Sequence, residues 1–121
     1  MAQNRVRLGQ LRFIDTATML VGGNWYPVDN GGLLAGFDFP VAMLRISNNS
    51  NVDIVANFNP FETAVPQEFI AKGTSVLLNF QQMAIPNSYI TMLRAGTFIR
   101  VQSAAAGVGL VYVSAYGPLI D

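Results

Sequence analysis

Apolar and polar residues alternate with a period of two in five separate stretches of this chain. They are Val41-Ala-Met-Leu-Arg-Ile-Ser47, Val52-Asp-Ile-Val-Ala-Asn-Phe58, Thr74-Ser-Val-Leu-Leu-Asn-Phe80, Thr97-Phe-Ile-Arg-Val-Gln-Ser103 and Val108–Tyr116. Successive side chains of a β-strand point to opposite faces, so this period can bury one face only if the backbone is extended. Asn48-Asn-Ser-Asn51 is a cluster of turn residues, and the two strands it joins read as a hairpin. Ala104-Ala-Ala-Gly107 joins the last two stretches in the same way, with Gly107-Val-Gly109 leading into the final strand. Three shorter candidates lie elsewhere: Val6–Ile14, Thr16–Val21, and Val65–Ile70, where Pro66 removes a ladder donor and marks an edge. Six to eight strands with turn signals about every 8–12 residues predict an all-β fold, an antiparallel β-sandwich or small barrel. The predicted core is Leu44 and Ile46, Ile54 with Ala56 and Phe58, Val76 and Leu78, Ile99 and Val101, and Val111 and Val113. A slip of one residue would turn any of these sets to solvent.

Helical signals are few. Met83, Tyr89, Ile90 and Leu93 could share a face of a helix over 81–94, but Pro86 interrupts it, so at most one turn is expected there. With 121 residues the chain makes one domain. Residues 15–121 form the sandwich, and residues 1–14 are an N-terminal arm or an edge strand. Gly22-Gly23 and Gly31-Gly32 bracket a segment that carries the only tryptophan and reads as a long loop. Lys72-Gly-Thr and Ala95-Gly-Thr each precede a strand, a likeness that turn chemistry alone explains.

Chemistry is constrained by what is missing. The sequence has no histidine and no cysteine, which removes the usual general base, the commonest metal ligand and any thiolate site. The seven acids, Asp15, Asp29, Asp38, Asp53, Glu62, Glu68 and Asp121, show no pairing. Asp53 falls on the polar side of its strand. Gly31-Gly-Leu-Leu-Ala-Gly36 lacks the Lys-Ser/Thr of a phosphate-binding loop. No enzymatic activity, metal or cofactor is expected. No apolar run approaches the roughly 20 residues of a membrane span, so no membrane partner is expected. Six Arg and one Lys are balanced by seven acids, which leaves no basic footprint for nucleic acid.

Charged residues make up only 12% of the chain, where about one-quarter is ordinary, and the net charge is zero. Such a surface is poorly protected against association and suits one covered by neighbouring subunits. Arg5, Arg7 and Arg12 form a basic arm, either a solvated strand face or a tether to a neighbour. Trp25, Tyr26, Phe37, Phe39 and Phe61 fall outside the alternating strands. A loop aromatic either folds back on its own core or anchors in a neighbour's pocket. These eight residues are the candidate interface set.

The stretch Leu44-Arg-Ile-Ser-Asn-Asn-Ser-Asn-Val-Asp-Ile-Val-Ala-Asn-Phe58 resembles an element of small tailed-bacteriophage virion proteins. Val65-Pro-Gln-Glu-Phe69, Leu77-Leu-Asn-Phe80 and Gly109–Tyr116 are similar to the segments that follow it there. Where an Asp-Gly turn is the family's pattern, this chain has Asn57-Phe-Asn-Pro-Phe61. The resemblance covers roughly residues 41–116. It implies a β-sandwich in a virion, as capsid decoration or a neck or tail component, whose partners are other virion proteins and copies of itself. The alternative reading is a carbohydrate- or surface-binding module with Trp25 and Tyr26 as its stacking platform. The purified protein is expected to contain no stoichiometric metal by elemental mass spectrometry; a bound equivalent would contradict this reading of its chemistry.

Overall fold

The computed structural model describes residues 6–33, 36–58, 66–80 and 92–120, with 6–8 and 118–120 described by backbone alone. Eight strands are formed among them: β1 (Val6–Asp15), β2 (Tyr26–Pro27), β3 (Met43–Ser50), β4 (Ile54–Asn57), β5 (Glu68–Ile70), β6 (Ser75–Asn79), β7 (Arg100–Gln102) and β8 (Gly109–Ile120). They build two four-stranded sheets, ordered β1-β8-β3-β6 and β2-β7-β4-β5. Every pairing is antiparallel. The fold is therefore an open sandwich and not a barrel.

The pairing is nested. β4 pairs with β5, β3 with β6, β2 with β7, and β1 with β8. The chain thus runs as one long antiparallel ribbon, doubled back between β4 and β5. Rolling that ribbon brings β8 against β3 and β7 against β4. This order is the jelly-roll topology of two packed sheets.

The nesting corrects two local expectations. Asn48–Asn51 and Ala104–Gly107 do not close hairpins, because β3 and β8 belong to one sheet and β4 and β7 to the other. Asn48–Ser50 continues β3 opposite β8 and the chain crosses between sheets just after it, Ala104–Gly107 crosses too, and at this end the links from β1 to β2 and from β5 to β6 do the same. Hydrogen bonds tie the four crossings together: Gly107 N to Thr16 O (3.2 Å), Gly23 N to Ser103 O (3.0 Å), Asn51 N to Val108 O (3.1 Å) and Gly73 N to Asn48 O (2.9 Å). Asn48 is fully buried here. Its amide donates to Val52 O (2.8 Å) and Ile70 O (3.1 Å), and its Oδ1 accepts from Ser50 N (3.2 Å). Gly109 opens β8 at φ +116°, and a Cβ there would lie 2.3 Å from Asn49 O. Only glycine lets β8 begin this close to β3.

The alternating sets form the core as expected. Leu44, Ile46, Ile54, Ala56, Phe58, Leu78, Ile99, Val101, Val111 and Val113 are buried, and Val76 packs partly buried against them. Phe37, Phe39, Phe80 and Leu93 extend the same core, with Phe58 and Phe80 edge to face at 5.3 Å. The two Gly-Thr segments adopt one turn: Gly73 and Gly96 have positive φ, and Thr74 and Thr97 each bond by N–H and hydroxyl to the carbonyl three residues back. Thr16–Thr18 is a 3₁₀ turn, not a strand, because Asp15 caps it by accepting from Ala17 N (2.9 Å). Of the loop carrying the tryptophan, Tyr26–Pro27 pairs with β7 as β2. The short helical turn considered over 81–94 lies largely outside the described residues; at its end Leu93 bridges Val41.

Residues 6–14 belong to a strand paired with β8, so they are an edge of the sandwich and not a free arm. Deleting 1–14 would strip β8 of a ladder and take the buried Ile14 out of the core. The β1–β8 register shifts between Arg7 and Gly9, opposite Gly117 and Pro118. There β8 has passed beyond β3, whose last pairing is Met43 with Tyr116, so the missing Pro118 N–H breaks no inner ladder. Asn48→Ala removes the amide that bonds the carbonyls of Val52 and Ile70 and should cost about 2–4 kcal/mol in urea unfolding with an unchanged slope. A loss below about 0.5 kcal/mol would show that water replaces the amide at this joint.

Candidate functional site

The structure separates the eight sequence candidates. Phe37 is 2% exposed and Phe39 8% exposed, so neither can anchor in a neighbour. They fold back on their own core because Phe37 pairs by backbone with Thr97 and Gly96, which draws the loop across the open end of the sandwich. Tyr26 also faces inward. It lies opposite the buried Val101 and packs on the core, and its hydroxyl accepts from Val21 N at 3.0 Å. A sugar platform of Trp25 and Tyr26 therefore lacks the Tyr26 ring, and Trp25 is itself half-buried. Arg5 and Phe61 lie outside the described residues. Arg7 lies in β1, described by backbone alone.

Arg12 is buried, at 7% exposed, and is neither a tether nor a solvated strand residue. It sits on the inward side of an edge strand, where a long side chain can lay its stem on apolar surface and satisfy its head at the rim. Nη1 donates to Leu11 O (3.2 Å) and Nη2 to Gln10 Oε1 (3.2 Å), and the guanidinium lies over the Phe37 ring, 5.2 Å from its centre. Gln10 in turn donates to Asp38 Oδ2 at 2.7 Å. Nε of Arg12 has no partner. Among the described residues no three acids, histidines or cysteines converge on a metal site.

With Arg12 and Ile14 turned in, Leu11 and Phe13 are turned out. Leu11 is 53% exposed and Phe13 37%. Register places them in rows across the first sheet: Gly9–Tyr116–Met43–Asn79, Leu11–Ser114–Arg45–Leu77, and Phe13–Tyr112–Ser47–Ser75. Asp15, Leu110 and Asn49 make a fourth, shorter row. The solvent side of an antiparallel sheet is ordinarily polar. This one carries Leu11, Phe13, Met43, Leu77, Leu110 and two tyrosines, with Arg45 as the cation among its interior positions. Tyrosine, methionine, phenylalanine and arginine are the side chains that interface centres favour, and their concentration on one outer face, interleaved with Ser47, Ser75 and Ser114, points to an interaction surface. Leu33 and Val108 are exposed singly in loops and need no such account, and Leu20 with Val21 makes a small exposed pair.

Sequence reasoning missed this face because alternation was read for its buried side alone. The signal was present: Leu11, Phe13, Met43, Leu77, Tyr112 and Tyr116 are apolar or aromatic at the alternate, outward positions. No family model matches the chain, and no curated protein is similar to it. Replacing both Leu11 and Phe13 by Ser should shift unfolding by about 1 kcal/mol or less, since neither supports the core. The same pair of changes should lower binding of a hydrophobic dye to the native protein; unchanged dye binding would mean the patch is not continuous in solution.

Proposed function

We infer that this chain is a non-enzymatic structural component of a bacteriophage virion. It assembles in multiple copies through neutral, apolar surface, as capsid decoration or cement or as part of the neck or tail. The observation that carries the reading is the outer face of the first sheet. It exposes aromatic and aliphatic side chains where a solvated sheet carries polar ones, on a chain that is only 12% charged. Such a face is a liability on a free monomer and an asset in an assembly, where its burial supplies roughly 25 cal/mol per Å². Two further considerations support it. Jelly rolls recur in viral capsid proteins, although they also serve lectins, and a fold alone does not assign function. The segment from Leu44 to Phe58 resembles small virion proteins of tailed phages, and here it forms β3, the crossing and β4.

The mechanism is cementing by burial. Rigid sandwiches present a preformed flat face, so little conformational entropy is lost when subunits dock. Purified particles analysed by quantitative mass spectrometry should contain the chain in many copies if it decorates a capsid, or in a number near a small ring if it belongs to the neck or tail. Its absence from particles would overturn the virion assignment, and glycan binding by a stable monomer would put a carbohydrate-binding module in its place.

A further inference from the structure

We propose that copies of this chain stack front to back, the outer face of the first sheet in one copy seating on the outer face of the second sheet in the next. The inference rests on the multi-copy reading above and names the contact.

The first face has an electrostatic gap. Arg45 is exposed, and among the described residues no hydrogen bond or ion pair holds its guanidinium. By register its cross-strand neighbours are Ser114 and Leu77, and its neighbours along β3 on the same side are Met43 and Ser47, none of them acidic. The acid on this side, Asp15, lies at the corner and caps the 3₁₀ turn. Covering the face would take Arg45 out of water without the carbonyl, amide and ring that hold Arg12, and a carboxylate on the covering surface would meet its charge. A two-fold pairing of the face with itself cannot supply one. Arg45 lies on an inner strand near the middle of the sheet, so a two-fold axis there would bring two guanidinium groups together.

The second sheet offers the complement on the opposite side of the molecule. Phe69, Val55 and Gln102 form one row across β5, β4 and β7. The Phe69 ring is 61% exposed. With Asp53 at the end of β4 they line an open depression of about 240 Å³. Asp53 Oδ1 accepts from Lys72 N at 2.9 Å, and its second oxygen has no partner among the described residues. Arg100, on the neighbouring row, is stacked over its own Phe98, 5.8 Å from the ring centre. One side of the sandwich thus carries a ridge of Leu, Phe and Tyr around Arg45. The other carries a depression floored by apolar side chains beside a carboxylate. Sheets stack about 10 Å apart through interdigitated side chains, and a patch on one side that fits a pocket on the other makes a heterologous contact that repeats. Stacks or rings follow, not closed dimers.

The test uses full-length protein in sedimentation velocity, with thermal unfolding to show that each variant is folded. Arg45→Asp and Asp53→Arg should each weaken self-association by about tenfold or more, since each sets like charges face to face. Asp53→Asn keeps an acceptor for the Lys72 amide, and it too should weaken association, which separates the charge from the local turn. An equimolar mixture of R45D and D53R should regain assembly beyond dimers, because each altered face then meets its opposite and each unaltered face meets its native complement. A mixture that stops at dimers, or an R45D variant that associates like the native chain, would overturn the stacking contact. A native chain that is monomeric at every attainable concentration yet abundant in particles would overturn it too, with the virion reading intact. Stacking by a chain absent from particles would do the reverse.

Discussion

A single buried amide holds the two halves of this sandwich in register. Asn48 stands at the point where the chain leaves the first sheet, and its side chain reaches the carbonyl of Ile70 in the second. Its own backbone N–H and C=O are taken by Thr74 and Gly73 at the neighbouring crossing. A polar group with no exposure is tolerated only when its donors and acceptors are met, and here the partners come from β3, β5 and two crossings at once. Around it the four crossings are cross-linked by backbone bonds, and Gly109 and Asn51 complete the contact between the β3 and β8 ends. The opposite end has a different character. Phe37, Phe39, Phe58, Phe80 and Leu93 close it with apolar surface. The molecule is pinned by hydrogen bonds at one end and packed by aromatic rings at the other.

That pinning makes the two outer faces fixed surfaces. The inner faces are committed to the core, so any partner must meet an outer face, a loop or an edge. The first outer face is rich in Leu, Phe and Tyr and short of charge. The second has an exposed ring and a carboxylate in a shallow depression. Arg12 shows how the same economy of charge works inside the edge of the fold. Its guanidinium has no carboxylate of its own and is held by one carbonyl, one amide and the face of Phe37. The long side chain closes the rim of the first sheet while Leu11 and Phe13, on either side of it, are left to the outside.

Much of the core was legible in the sequence. The period of two in 41–47, 52–58, 74–80, 97–103 and 108–116 selected the buried side of each strand, since alternation and burial are the same fact in a pleated backbone. β5 was legible as an edge from Pro66. What failed were judgements that need a partner to be known. Asn48–Asn51 has the composition of a hairpin turn, yet Asn48–Ser50 extends β3 and the chain then crosses to the other sheet. Phe37 and Phe39 lack a strand period, yet they are buried because their loop is drawn across the core end. Arg12 looked like part of a basic arm because a charge is solvated by default, and only the edge position of β1 gives its stem an apolar bed and its head a rim.

The sequence by itself determined that the chain is all-β, which residues line its interior, and that it holds no histidine and no cysteine. Those properties depend on side-chain identity and on a period of two, both of which are local. The tertiary structure decided which sheet each strand joins, and with it the rows of the outer faces. Strand pairing is made by backbone hydrogen bonds that are nearly alike for every residue, so local sequence leaves the choice of partner open. The rolled order β1-β8-β3-β6 alone sets Leu11 and Phe13 beside Tyr112 and Arg45 beside Leu77, bringing residues from both ends and the middle of the chain into one surface.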